Sequence, residues 1–405
     1  MFNYLRKFIH RFTLAVPLVL SLNGIAQATN IAIHYVHQQP PVRALLSTLV
    51  KPAQDSGLAG VRLAIKDANT TGRFINQHFE LTQFDSADSK LVIENIIGQY
   101  QLGNQLFVVD VDTATLIALN NWAQDKSVLI FNIANAADQL RTEQCASSML
   151  HTIPSDAMRA DALAQWLLYR RFTKVLVVQG QYPEDTALVD AFTRSAKRLG
   201  IKIIDHKIWA FDSDLRRSAS QEMPLFTQTS SDYDVVFVAD RAKDFAQYLP
   251  FNTYLPRPVI GSAGLEPLAW HWSIEQWGAA QLQNRFQRLA KRLMNETDFG
   301  GYLALRSIAQ AAQDSAKQKQ AKQASPLTAD RIIDYLRSDQ LHLAAYLGRK
   351  LSFRSWNGQL RMPIALVHPA ALISQSPQPG FLHPKNELDT LGFDQVGSGC
   401  AINQG

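Results

Sequence analysis

The run Asp110-Val-Asp112-Thr113-Ala-Thr115 ends an apolar segment, Leu106–Asp110, that reads as a buried strand. Residues i and i+2 of an extended segment project to the same side, so Asp110 and Asp112 would present two carboxylates to one surface. Such a pair repels a third carboxylate and suits an amine, a polyol or a metal-bearing ligand. Asp112 and Thr113 are also good helix N-caps, and that reading stands beside the first. A second strand end, Asn132-Ile-Ala-Asn135, offers neutral amides that would hydrogen-bond a polar ligand, or in the case of Asn135 simply shape a turn. His34 and His37 fall on opposite faces of a strand, which argues against a shared metal. The chain has no nucleophile elbow, phosphate-binding glycine loop, dinucleotide fingerprint, HExxH or CxxC pattern. The expectation is a protein without catalytic residues, cofactor or metal.

The elements that would position these groups alternate along the chain. Apolar runs at 31–36, 79–84, 106–110, 127–132, 174–178, 202–204, 234–239 and 259–261 read as strands. Between them, helical periodicity spans 60–69, 90–102, 114–124, 157–170 and 186–199. Long helical patterns follow at 279–293 and 302–322, the last turns carrying Lys317, Lys319 and Lys322 as a solvated end. This order predicts an α/β protein with mostly parallel sheets flanked by helices.

His151-Thr-Ile-Pro-Ser155 is extended and Pro-punctuated, with Ser155 and Asp156 as caps for the next helix, and reads as a first crossing between two lobes. The segment 264–277, with Trp270, Trp272 and Trp277, would be the return; the aromatic cluster is expected to pack between lobes. Leu351–Arg354 and Met362–Val367 have strand character about an Asn357-Gly358 turn and would form the third crossing. The predicted division is an N-terminal lobe of 29–152 plus 275–345, a C-terminal lobe of 153–274 plus 346–373, and a Pro- and Gly-rich tail, 374–405, without standard elements.

The first 28 residues read as a Sec signal peptide cleaved after Ala28. Arg6, Lys7, His10 and Arg11 precede an apolar run over 12–22 and a small-x-small site, Ala26-Gln27-Ala28. That run is too short to span a bilayer comfortably, and no stable membrane insertion is expected after cleavage. The formal charge of +5 falls to +2 once this segment, with three Lys and Arg and no acid, is removed, leaving 37 basic against 35 acidic residues. So balanced a surface gives no argument for nucleic acid. Cys145 and Cys400 are the two cysteines. In an oxidising compartment they are candidates for a disulfide, the alternative being two isolated thiols.

The stretch Ala59-Gly60-Val-Arg-Leu-Ala-Ile-Lys-Asp-Ala-Asn-Thr-Thr-Gly-Arg-Phe74, between a first strand and Phe79–Phe84, resembles the opening βαβ of type I periplasmic binding proteins, and in particular the branched-chain amino acid binding proteins of ABC importers. A narrower resemblance rests on that stretch with Glu266-Pro-Leu-Ala-Trp-His-Trp272, Asn284-Arg-Phe286, Gly380-Phe-Leu-His-Pro384 and Glu387-Leu-Asp-Thr-Leu-Gly-Phe393. These are similar to substrate-binding proteins associated with pyrroloquinoline quinone-dependent alcohol dehydrogenase systems. The resemblance implies a periplasmic protein that closes two lobes on a small ligand, with an ABC permease as partner. The alternative it leaves is a non-transport helper or sensor of a quinoprotein dehydrogenase. It also implies that strand ends facing the cleft bind ligand. These are Asp110, Asp112 and Thr113, Asn132 and Asn135, Tyr182 and Glu184 in a Gly-containing loop, and Asp240 with Arg241, where relatives place an acid for a ligand ammonium.

Overall fold

The computed structural model describes residues 29–41, 53–209, 215–320, 327–400 and 402. The expected signal peptide and Lys322 lie outside them. Two parallel sheets carry the architecture. The first contains β1 (Thr29–Gln38), β2 (Gln77–Ser86), β3 (Leu106–Asp110), β4 (Leu129–Asn132) and β5 (Met149–His151), with α1 (Leu58–Gly72), α2 (Ser89–Gln101) and α3 (Thr113–Trp122) between them. Its order is β2-β1-β3-β4-β5. Helix α4 (Asp156–Tyr169) opens the second lobe, followed by β6 (Lys174–Gln179), α5 (Pro183–Leu199), β7 (Lys202–Ile208), α6 (Leu215–Phe226), β8 (Val235–Ala239) and β9 (Val259–Gly261). These strands run in the order β7-β6-β8-β9. Both sheets are covered on both faces, so their central strands are unbroken apolar runs rather than alternating ones: β8 is buried at every position.

The chain returns through β10 (Glu266–Leu268) to α7 (Ala279–Ala290), α8 (Glu296–Gln320) and α9 (Ala329–Arg337). Helix α8 lies against α1, and the approach is close enough to explain Gly60. A Cβ at that position would stand 1.7 Å from the backbone oxygen of Asp298. The same contact is tied by Asp298, whose Oδ1 accepts from the Gly57 amide at 2.9 Å. The Trp270 ring is buried and stacks on Phe299 at 4.6 Å, while its indole N–H reaches Gln283 at 3.3 Å. Trp272 and Trp277 remain partly exposed.

The last third differs most from expectation. Strand β11 (Leu343–Ala344) pairs with β12 (Lys350–Phe353), and β12 with β13 (Leu360–Arg361). The turn between β12 and β13 carries Gly358 at φ 68°, where a Cβ would strike the Met149 oxygen at 2.4 Å. This hairpin stays on the first lobe, with the Phe353 ring 6.2 Å from Phe131 of β4. Only then does the chain cross to β14 (Ile364–His368), which pairs antiparallel with β10 and β15 (Ala371–Ser376). The strand expected at 362–367 is therefore found as β14, beginning two residues later, at Ile364. The tail, expected to lack standard elements, begins inside β15 and contains a 3-10 turn at Glu387–Thr390 and a short helix, α10 (Gln395–Ser398). Cys145 and Cys400 are disulfide-bonded, with Cα atoms 6.1 Å apart.

Arg141 is the hub at the crossings. Its guanidinium, 1% exposed, donates to the oxygens of Asn135 (2.9 Å) and Ala137 (3.0 Å) in the loop after β4, and of Ile153 in the first crossing (3.1 Å). It also donates to Gln359 Oε1, beside the third crossing, at 3.0 Å. Gln359 in turn donates from Nε2 to the Ile153 oxygen at 3.1 Å. Burial lowers the Arg141 pKa to about 10, which leaves it charged at neutral pH.

Candidate functional site

In doubly wound sheets, ligands bind at the carboxyl ends of strands where the strand order reverses. Here those points lie between β1 and β3 in the first sheet and between β6 and β8 in the second. At the second, the loops after β8 and β9 meet α4, β10, the first crossing and the N-terminus of α8. Together they enclose a cavity of about 250 Å³. Its apolar floor includes Leu163, Leu188 and Phe237, and its polar wall carries three cations, Arg159, Arg241 and Lys243, and four acids, Asp156, Asp240, Glu266 and Glu296.

The charges are arranged in pairs. Arg241 Nη2 donates to both carboxylate oxygens of Asp156 at 2.7 Å. Arg159 Nη1 donates to Glu296 Oε1 at 2.8 Å and to the Pro267 oxygen at 2.6 Å. Lys243 Nζ lies 2.5 Å from Glu266 Oε2. Asp240, at 1% exposure, has no partner of opposite charge among the described residues but accepts the backbone N–H groups of Asp244 (3.1 Å), Phe245 (2.8 Å) and Ala246 (2.8 Å). Burial opposes the charge on Arg241, but Asp156 more than offsets it and holds the guanidinium above its ordinary range. Burial raises the Glu266 carboxyl above its usual range, and Lys243 opposes that only in part. Asp185 positions this wall: its carboxylate accepts the Arg241 amide at 2.7 Å and the Tyr182 amide at 3.0 Å.

Unspent donors face the space. The described bonds of Arg241 use Nη2 and the backbone, leaving Nε and Nη1, and its side chain is 39% exposed. The Ser262 hydroxyl accepts from the Asp240 amide at 2.9 Å and keeps its own proton for a further bond. Arg159 Nε also lacks a hydrogen-bond partner, but it is enclosed and does not open onto the space. Among the acids, Asp156, Asp240 and Glu296 have both carboxylate oxygens engaged.

Of the nine residues expected to touch ligand, Asp240 and Arg241 line this cavity. Asp240 lines the cavity while its carboxylate also accepts three backbone N–H groups of its own loop. Asn132 is fully buried outside the cavity lining, donating to the Asn135 oxygen (2.7 Å) and meeting His151 Nδ1 (3.0 Å). Asn135 caps Ala137 N–H at 3.0 Å and joins Thr113 Oγ1 at 2.9 Å, which is turn shaping. Asp112 is the N-cap of α3, accepting Thr115 N–H at 2.7 Å, and also accepts Gln38 Nε2 at 2.8 Å. Tyr182 and Glu184 stand at the start of α5, outside the cavity lining.

Asp110 differs from these. It ends β3 half-buried, and burial lifts its carboxyl to about 6, against the pull of His37. His37, at the end of β1, is paired with Asp85 at 2.5 Å. His34 is buried against Phe107, their rings 5.5 Å apart. Among the described residues no group of three or more His, Cys, Asp or Glu could hold a metal ion. Sequence reasoning missed Arg159, Lys243, Glu266 and Glu296. Of these, Glu266 was legible only within the motif around Trp270.

Residues 44–223 match the sequence profile of the family described as periplasmic binding protein. No curated protein of similar sequence was found. The fold is that of type I periplasmic binding proteins. It is similar to a branched-chain amino acid ABC transporter periplasmic ligand-binding protein from Burkholderia xenovorans, with 15% identity over 92% of this chain and 99% of that one, and a TM-score of 0.69. An ABC transporter substrate-binding protein from Sphaerobacter thermophilus aligns at 14% identity over 90% and 100% of the chains, TM-score 0.69. A solute-binding protein from R. palustris, solved in complex with benzoate, aligns at 11% identity over 92% and 99%, TM-score 0.64.

Proposed function

We propose that this chain is a periplasmic solute-binding protein that closes two lobes on a small polar ligand and delivers it to the permease of an ABC importer. The observation that carries this reading is the cavity between the lobes, with an apolar floor, a polar wall and donors left unspent. A volume of about 250 Å³, just below the usual range of about 300–1,000 Å³, suits a small molecule. Arg241 and Ser262 would bind an acceptor-rich head, a carboxylate or hydroxyls, while Leu163, Leu188 and Phe237 cover an apolar body. The solved relative with benzoate supports including aromatic acids among the candidates.

Partnership with a pyrroloquinoline quinone-dependent alcohol dehydrogenase system is supported by the resemblance of the 59–74, 266–272, 284–286 and 380–393 motifs, and alcohol-derived acids are therefore the first ligands to test. A thermal-shift screen of the chain from Thr29 onward against acids, polyols and amines checks the reading, since a ligand of the folded state alone raises the melting temperature. Arg241→Ala abolishes the shift if the ligand sits in the cavity. Loss in Asp110→Ala and Tyr182→Ala but not in Arg241→Ala would move the site to the outer strand ends. No shift with any of the three classes would overturn solute capture.

A further inference from the structure

We infer that the C-terminal segment is a fourth, covalently locked crossing between the lobes, which limits how far they open. The inference rests on the two-lobe closure described above. From Ser376 to Phe393 the segment is held by α4 and α5 of the second lobe. Ser376 Oγ donates to the Ala162 oxygen at 3.0 Å, and the Gln378 amide to Gln165 Oε1 at 3.1 Å, both on α4. The Gly392 amide donates to Asp161 Oδ2 at 2.7 Å, and the Arg194 guanidinium of α5 stacks 4.7 Å from the Phe393 ring. Asp161 is fully buried and is also held by Arg194 and Arg198, so this anchor is rigid. Arg354, 1% exposed in the β12–β13 turn of the first lobe, donates to the Leu388, Leu391 and Phe393 oxygens and to Asp389, so this stretch already bridges the lobes through non-covalent bonds.

A few residues on, the chain is fastened to the first lobe. Ser398 Oγ donates to the Arg141 oxygen at 2.7 Å, and Cys400 is bonded to Cys145 in the loop between β4 and β5. Between the anchors lies α10, Gln395–Ser398, capped by Asp394, which accepts the Gly397 amide at 2.6 Å. A helical residue advances about 1.5 Å, whereas an extended one advances about 3.5 Å. Once the Arg354 bonds give way, slack for separating the lobes comes from unwinding α10, and the disulfide sets its limit. No residue of the segment lines the cavity, so it acts on the hinge and not on ligand entry. With the bond intact, widely open states are suppressed and the closing equilibrium starts nearer the competent state; reduction releases the Cys400 end and weakens apparent affinity.

The test uses the chain from Thr29 onward with spin labels on non-canonical residues at Lys90 of α2 and Asp190 of α5, both exposed. Inter-label distances without ligand are compared for the oxidised protein, the same protein reduced in solution, the Cys145→Ser/Cys400→Ser variant, and that variant carrying Gln359→Ala to loosen the original crossings. All are read where near-ultraviolet circular dichroism shows native packing. The expected result is one narrow distribution when oxidised and an added longer-distance population in the reduced and double-serine forms. If the distribution broadens only with Gln359→Ala, the hinge exists but the fourth crossing does not limit it, and the inference fails alone. If none of the four broadens, the lobes move as one body and solute capture by closure fails with it.

Discussion

Arg141→Ala is the sharpest test of how the crossings are held. The guanidinium makes four hydrogen bonds, three to backbone oxygens and one to Gln359, all in the interior. A hydrogen bond from a charged donor contributes about 1.5–3 kcal/mol, and a buried acceptor left unpaired costs about 1–3 kcal/mol. Gln359 can rotate to a new partner, and water can enter part of the vacated space, since the site is polar. Two acceptors left poorly satisfied, plus the packing lost with the side chain, give about 4 kcal/mol. That is a large share of a stability of roughly 5–15 kcal/mol.

Urea denaturation followed by tryptophan fluorescence reads the loss as a shift in midpoint. Arg141→Met separates the causes. It refills most of the apolar volume but leaves the same carbonyls without donors, so it should be nearly as damaging as alanine. Arg141→Lys keeps a charge but lacks the planar fork and should fall between. Loss below about 1 kcal/mol in the alanine variant, or recovery in the methionine variant, would refute the reasoning, because unpaired buried acceptors are the expensive part.

Three further outcomes follow from the same physics. Gly60→Ala gains helix propensity but drives a methyl into the Asp298 oxygen, so the melting temperature should fall, with a cost of about 1–3 kcal/mol for overpacking; an unchanged melting temperature would contradict the α1–α8 approach. Asp110 has a folded pKa of about 6, above its ordinary value, so the folded state keeps a proton that the unfolded state releases. Its contribution to stability therefore falls as pH rises from about 4 to about 6. Asp110→Asn should flatten that slope and stabilise the protein at pH 7 by about 1 kcal/mol, leaving the similarly raised Asp138 to supply a residual slope, as pH-dependent urea titrations would show. Removing the Cys145–Cys400 bond, which closes a separation of 255 residues, should cost up to about 5 kcal/mol on the chain-entropy argument; equal stability under reducing and non-reducing conditions would contradict it.

Much of the scaffold is local and was readable for that reason. Leu106–Asp110 is a strand by its apolar run, and Ser155 caps α4 by accepting the Met158 amide, as its residue type predicts. Two parallel sheets follow from such segments alternating with amphipathic helices, because each apolar face must be covered. Asn132 and Asp240 look alike in sequence to ligand-binding polar residues at strand ends. Only the three-dimensional arrangement shows that neighbouring backbone groups claim their hydrogen-bonding capacity first. Conversely, Arg159, Lys243, Glu266 and Glu296 are scattered over α4, the β8–β9 loop, β10 and the start of α8, and no spacing links them. Charge pairing across a cavity depends on distances that the chain's linear order does not contain, and so does the route of the tail from α4 to Cys145. Composition and periodicity determined what must be buried; tertiary packing decided which polar groups were left over to bind something else.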